Sequence, residues 1–188
     1  MPAEQVRADA RRNYDLLLNE ARAAFAEHGT EASLRDVARR AGVGIGTLYR
    51  HFPTREALLE ALLRSRFDEL REQADALLAG DGAREALLSW LTRLAIGSTA
   101  YRGLPESVMA ALRDEGSQLH DSCVAMRAAG GRLLSRAQAA GEVRGDVTAD
   151  ELLALAAGVA WASEQTAGPV DLIHRLLSYA MEGLRTDG

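Results

Sequence analysis

Apolar residues recur every three or four positions along almost the whole chain, and no stretch of four or more alternates with period two. The pattern predicts helices and no sheet. Tyr14, Leu17, Leu18, Ala21 and Phe25 form a first stripe, closed by His28 and Gly29, a favourable helix end. Ser33 to Asp36 has the S-x-x-D form of a capping box and opens a short helix with Leu34, Val37, Ala38 and Ala41 on one face. Gly42 breaks the chain where a tight turn needs a positive φ. Ile45, Leu48, Tyr49 and Phe52 form a second short stripe. After Pro53, Thr54 caps a long helix over 54–79 that carries Leu59, Leu63, Phe67, Leu70 and Leu77.

Gly80-Asp81-Gly82 reads as a linker. Beyond it the pattern predicts helices over 84–101, 105–113, 117–140, 149–165 and 169–185, which makes nine in all. Thr148 to Glu151 is another capping box, and Pro169 sits in a first helical turn, where proline is tolerated. Gly130-Gly131, inside a helical stretch, marks a kink or a close helix contact. The fold class is all-α. The division expected is an N-terminal domain of three helices over 1–55 and a second helical domain over 56–188, with helix 54–79 bridging both.

Composition narrows the setting. The chain has 188 residues, 47% hydrophobic and 26% charged, which is ordinary globular usage. The longest uncharged run, 152–163, has 12 residues, short of the roughly 18 a membrane span needs. Met1 to Arg7 carries charge at once, so no secretory signal is expected. A single cysteine, Cys123, closes no disulfide within the chain. These features point to a cytoplasmic protein without a membrane partner. Charge is divided unevenly: residues 1–66 hold 11 arginines and 9 acids, whereas 67–188 hold 11 arginines and 18 acids. A polyanion would meet the N-terminal part. All 22 basic residues are arginine, a usage that fits genome composition.

Residues 33–52 carry the candidate chemistry. Two short amphipathic helices joined across Ala41-Gly42-Val43-Gly44 have the helix-turn-helix pattern, whose second helix enters the major groove of DNA. With the apolar positions buried, Thr47, Arg50 and His51 remain on the exposed face and Tyr49 on its edge. A hydroxyl, a guanidinium, an imidazole and a phenol suit phosphates and base edges. A helical hairpin inside a bundle satisfies the same pattern.

The run from Ala41 to Leu58, with Gly46-Thr47-Leu48-Tyr49-Arg50-His51-Phe52 at its centre, resembles the helix-turn-helix signature of the TetR family of bacterial transcriptional regulators. The resemblance covers about residues 10–60, and the length and helix count fit a TetR-like fold. Residues 129–144 are similar to the C-terminal domain of the SbtR-like branch. The resemblance implies a homodimer on double-stranded, palindromic operator DNA, usually a repressor that a small-molecule inducer releases. It implies that Tyr49 and His51 hold phosphates and that Thr47 and Arg50 face bases. Ser33 and Arg35, opening the second helix, fall where some members contact DNA. Gly46 matches a close approach of backbone to DNA, and Thr54 and Arg55 match a phosphate site at a helix start. Many relatives carry Ser-Lys at Gly44-Ile45, so one phosphate-binding lysine is missing and Ile45 either meets a thymine methyl or packs inward.

The C-terminal part poses two further questions. Trp90 and Trp161 stand among alanine and glycine, which leaves space for an unidentified effector. The pocket expected there has Trp90, Leu94 and Tyr101 on one wall, and Met109, Cys123, Met126 and Arg127 opposite. Trp161 completes it, with Arg93, Arg127 or Gln165 as the polar contact. A packed core is the alternative. Helix 149–165 is apolar or small almost all round, so one face cannot satisfy it. A two-fold interface is expected through Leu152, Leu155, Val159, Ile173, Leu177, Met181 and Leu184, the alternative being that these fill the subunit core.

His120 and Cys123 share a helix face but lack a third ligand, and no nucleotide-binding or hydrolase motif is present, so neither metal nor cofactor is expected. A small all-helical enzyme built on His120, Cys123, Asp114 and Glu115, and a dimeric adaptor without DNA affinity, are the readings from other classes. The reading adopted is a regulator and not an enzyme.

Overall fold

Glycine and proline decide where the helices stop. The computed structural model describes residues 2–98, 104–164, 166 and 168–186. Along them run α1 (Pro2–His28), a 3-10 turn (Gly29–Glu31), α2 (Leu34–Arg40), α3 (Ile45–His51) and α4 (Arg55–Leu78). There follow α5 (Ala83–Ser98), α6 (Glu106–Arg113), α7 (Gln118–Ala139), α8 (Ala149–Ser163) and α9 (Pro169–Gly183). Each falls on a predicted stripe, and the described residues contain no strand. The expected extension of α5 to Tyr101 and of α8 to Gln165 lies on residues outside those described. Gly42 takes φ 70° between α2 and α3, as the tight turn requires.

Caps follow the sequence closely. Ser33 Oγ accepts from the Asp36 N–H at 3.3 Å, while the Asp36 carboxylate turns to Arg39 instead of closing the box. That guanidinium holds the Asp36 carboxyl below its ordinary range. At α8 the box closes in both directions, with Thr148 N–H donating to Glu151 Oε2 at 2.8 Å and Glu151 N–H to Thr148 Oγ1 at 3.3 Å. The backbone bond to Thr148 also lowers the Glu151 carboxyl.

The chain forms two compact units, residues 1–65 with 100–120, and 66–99 with 121–188. This division cuts α4, the helix expected to bridge both domains, at Ser65, and it places α6 in the first unit, whereas the sequence boundary at residue 55 put α6 in the second. In the first unit α1 packs on α2, and α2 on α3. Leu17, Ala21, Phe25, Val37, Leu48, Phe52 and Leu58 are buried there. In the second unit α5, α8 and α9 pack against one another. The core they enclose also takes Leu70 and Ala74 from α4, and Met126, Ala129, Leu133 and Ala137 from α7.

Trp90 anchors that core. It is 1% exposed, and its indole N–H donates to the Leu70 carbonyl at 2.9 Å. The outer edge of its six-membered ring abuts Gly130, where a Cβ would come within 2.6 Å of Cζ3. α7 runs unbroken through the glycine pair, so Gly130 serves a close contact and not a kink. Gly131 faces elsewhere, and a Cβ there would meet only the Ala149 methyl at 3.9 Å. Gly130→Ala is therefore expected to destabilise the chain by about 1–3 kcal/mol through overpacking. Gly131→Ala is expected to stabilise it by about 0.5–1 kcal/mol through helix propensity. Thermal and urea unfolding of the two variants should move in opposite directions, and a shared direction would refute this account of the glycine pair.

Candidate nucleic-acid interface

The α2–α3 turn is built from the chain itself. Gly42 N–H donates to the Arg39 carbonyl at 3.2 Å and Val43 N–H to the Ala38 carbonyl at 3.0 Å, which closes the end of α2. Gly44, extended at φ −71° and ψ 149°, caps α3 without a side chain. Leu48 is wholly buried beneath it. With Leu48 inward, α3 turns Gly46, Tyr49 and Arg50 outward and keeps Thr47 and His51 half-buried.

These side chains have few internal commitments. Arg50 donates to Thr47 Oγ1 at 2.8 Å, so the hydroxyl orients a guanidinium whose charge stays available. Tyr49 is 48% exposed. Gly46 has open space where its Cβ would stand, so a phosphate backbone can approach closely. Ser33 and Arg35 are exposed at the start of α2. Thr54 is exposed and accepts from the Ala57 N–H at 3.1 Å as the cap of α4. His51 has a second neighbour, since its ring meets that of Tyr14 edge-on with centroids 6.1 Å apart. Tyr14 begins the first apolar stripe of the sequence. A phenol at a stripe edge is the signal that marks it as half-exposed. Ile45 is half-buried and so packs partly inward.

Arg55 departs from the expected role. Its Nη1 donates to the Thr30 and Ala32 carbonyls, each at 2.7 Å. Through Nη1 the guanidinium ties the start of α4 to the turn after α1. Arg39 and Arg40 are likewise paired, at 3.0 Å to Asp36 and 3.2 Å to Glu27. Among the described residues Arg50 has only the neutral hydroxyl of Thr47.

The expected effector pocket is not an open cavity. Trp90 and Arg127, both expected there, line its position with Leu87, Leu91, Gly130, Leu134 and Leu152, and the space left is about 10 Å³, too little for more than one water. Met126 is buried in the same core. Leu94 and Cys123 pack against its edge, and burial pushes the Cys123 thiol up against the opposing effect of Arg127. Arg93 is exposed, and Arg127 stands at the surface paired with Asp150. Met109 belongs to the other compact unit. Trp161 is 69% exposed and so stands outside the core. Tyr101 and Gln165 lie outside the described residues.

The expected dimer residues need a similar correction. Leu152, Val159, Ile173, Leu177 and Met181 are all at most 9% exposed within the single chain, and Leu155 and Leu184 pack on the same core. They hold the subunit together. The apolar side chains α8 and α9 leave outside are Trp161, Val170 and Tyr179, with Ala154, Ala157, Gly158 and Ala162 between them.

A sequence profile of bacterial regulatory proteins, tetR family, matches residues 17–62, and one of the transcriptional regulator SbtR-like C-terminal domain matches 82–186. The chain belongs to the tetR family. Members are transcriptional regulators and not enzymes. A TetR transcriptional regulator from Streptomyces coelicolor is 37% identical over 93% of this chain and 99% of its own, with a TM-score of 0.76. The TetR regulatory protein from Mycobacterium vanbaalenii is 36% identical over 96% and 99%, with a TM-score of 0.66. The transcriptional repressor KstR2 of Rhodococcus jostii is 31% identical over 63% of this chain, and the chain spans 56% of that repressor's length. The tetR profile thus covers the whole α2–α3 hairpin, and the SbtR-like profile covers the core around Trp90. Among the described residues no three His, Cys, Asp or Glu side chains gather to hold a metal, and no helix is long and apolar enough to cross a membrane.

The arginine geometry yields a direct test. Arg55→Ala is expected to lower folding stability by about 1.5–3 kcal/mol, because two carbonyls lose charge-assisted bonds. Arg55→Lys should recover only part of this, since an ammonium cannot fork across both oxygens. Unchanged melting with weakened DNA binding would restore Arg55 to the phosphate role.

Proposed function

We propose that this tetR-family chain is a DNA-binding transcriptional repressor that acts in the cytoplasm, as a homodimer on a palindromic operator, and leaves DNA when a small-molecule inducer binds. The observation that carries the reading is α3 itself. Its inner face is used up by Leu48, while Tyr49 and Arg50 stand outward, Thr47 lies half-buried beside them, and among the described residues no acid is paired to Arg50. Thr47 and Arg50 face base edges, Tyr49 and His51 take phosphates, and Ser33, Arg35, Gly46 and Thr54 flank them along the backbone. Arg50→Ala is expected to relax preference at one base position and to cost about 1–3 kcal/mol of binding, as loss of a bidentate guanine contact would. Tyr49→Phe should instead weaken all sequences about equally. Genomic fragments selected on the immobilised protein and compared by gel shift provide the measurement. If Arg50→Ala bound every fragment as the parent does, the recognition role would be wrong.

The dimer is proposed through the outward face of α8 and α9. Trp161 and Tyr179 are 69% and 67% exposed, and the small residues beside them let a second copy approach closely. A two-fold pair places two recognition helices about 34 Å, or one DNA turn, apart. Light scattering should give about twice the 20.2 kDa chain mass. Trp161→Glu is expected to give a folded monomer, whereas Leu177→Glu, which buries a charge in the core, should unfold the chain. A dimer that survived both Trp161→Glu and Tyr179→Glu would place the interface elsewhere.

A further inference from the structure

A cleft in the first compact unit shares only His51 with the residues assigned to DNA. It measures about 360 Å³, within the range of small-molecule sites, and all its walls belong to that unit. Tyr14 and Phe52 form an aromatic wall, with ring centroids 5.0 Å apart and planes at 36°. His51, the last residue of α3, continues the wall. Opposite lie Glu60 and Arg64, four residues apart on α4 and hence on one face, and Gln118 at the start of α7.

The charges of this cleft are not matched to each other. Arg64 donates to the Gln118 side-chain carbonyl and to Tyr14 Oη, at 3.4 Å for the latter. Both acceptors are neutral. The arginines Arg39, Arg40, Arg84, Arg127 and Arg132 each have a carboxylate. Among the described residues Glu60 makes no hydrogen bond or ion pair, although it lines the same cleft. A carboxylate on a guanidinium is bound about twice as strongly as a neutral acceptor, so an organic acid displaces the Gln118 amide with a gain. Glu60 opposes a second negative charge and favours a donor about 6 Å away, one helical turn from Arg64.

We propose that this cleft binds a small planar monocarboxylic acid that carries a hydroxyl or amino donor, with its carboxylate on Arg64, its donor on Glu60 and its ring against Tyr14 and Phe52. Because the ligand touches His51, its occupancy is felt at the C-terminus of α3. That coupling to DNA rests on the regulator reading, whereas the binding itself rests on the cleft alone.

The probes are 4-hydroxybenzoate, 4-aminobenzoate, unsubstituted benzoate and the uncharged 4-hydroxybenzamide, titrated into the full chain by calorimetry and ligand-observed NMR. The two substituted acids should saturate the chain, with the amide at least tenfold weaker. Arg64→Gln should weaken both acids tenfold or more. Glu60→Gln should weaken 4-aminobenzoate several-fold and leave unsubstituted benzoate unchanged or tighter. Gln118→Ala should tighten the acids several-fold by removing the competing acceptor, a sign that a merely structural role for Arg64 does not produce. Circular dichroism melts establish that each variant is folded. Absence of saturation at millimolar acid, equal binding of acid and amide, or acid binding indifferent to both Arg64→Gln and Gln118→Ala would overturn the proposal. In a second arm, the ratio of DNA affinity with and without acid is measured on selected genomic fragments. A ratio that departs from one and returns to one in Arg64→Gln supports coupling to α3. A ratio of one with proven acid binding overturns the coupling alone, and acid binding without any DNA binding overturns the regulator reading and not the cleft.

Discussion

The seat of Trp90 is the constraint on which the second compact unit depends. A buried indole needs both space for two fused rings and an acceptor for its N–H. Gly130 supplies the space by having no side chain, and the Leu70 carbonyl supplies the acceptor. Each requirement fixes one helix against α5: the first sets the register of α7, the second that of the C-terminal part of α4. Removing the ring altogether would cost about 3–5 kcal/mol, a large share of the stability of a chain this size. The same seat explains why the expected pocket is closed. A ligand at that place has to move the indole, and so must bind with enough differential affinity to displace it.

Much of this architecture was legible in the sequence because it is local. Periodicity located the nine helices of the described residues, and the S-x-x-D and T-x-x-E patterns located two caps. Gly42 marked the left-handed turn between α2 and α3, one of five positions where glycine takes a positive φ among the described residues. The outward face of α3 followed by elimination, since Leu48 had to point in. What escaped was non-local. Helix α8 is apolar or small all round, so its pattern cannot say which side meets α5 and α9 and which stays outside. Leu152 and Val159, expected at an interface, went inward, and Trp161, expected in a pocket, went outward. Arg55 escaped for a related reason. A side chain that long can reach a phosphate or two carbonyls of another turn, and spacing along the chain does not distinguish them. The cleft beside Arg64 was invisible because its walls come from α1, α3, α4 and α7.

The helix-turn-helix region also shows how arginines of identical charge are assigned different work. Arg39 and Arg40 are neutralised by acids of the same unit, and Arg55 is bound to main-chain oxygens. Redirecting any of these to DNA requires breaking a charge-assisted bond first. Arg50 exchanges a neutral hydroxyl for a base edge, so its reassignment has little to overcome. The basic excess of the N-terminal third therefore overstates the number of cations ready to act.

The two tryptophans sit in opposite surroundings, one at 1% exposure and one at 69%. An indole in an apolar, water-free seat emits at shorter wavelength than one in water, and a dissolved quencher reaches only the second. The emission of this chain is thus a sum of two separable components. The Trp90 component reports whether the core is intact, and the Trp161 component reports whether something has covered the outer face of α8. Folding and association can in this way be followed independently in one cuvette, without a label.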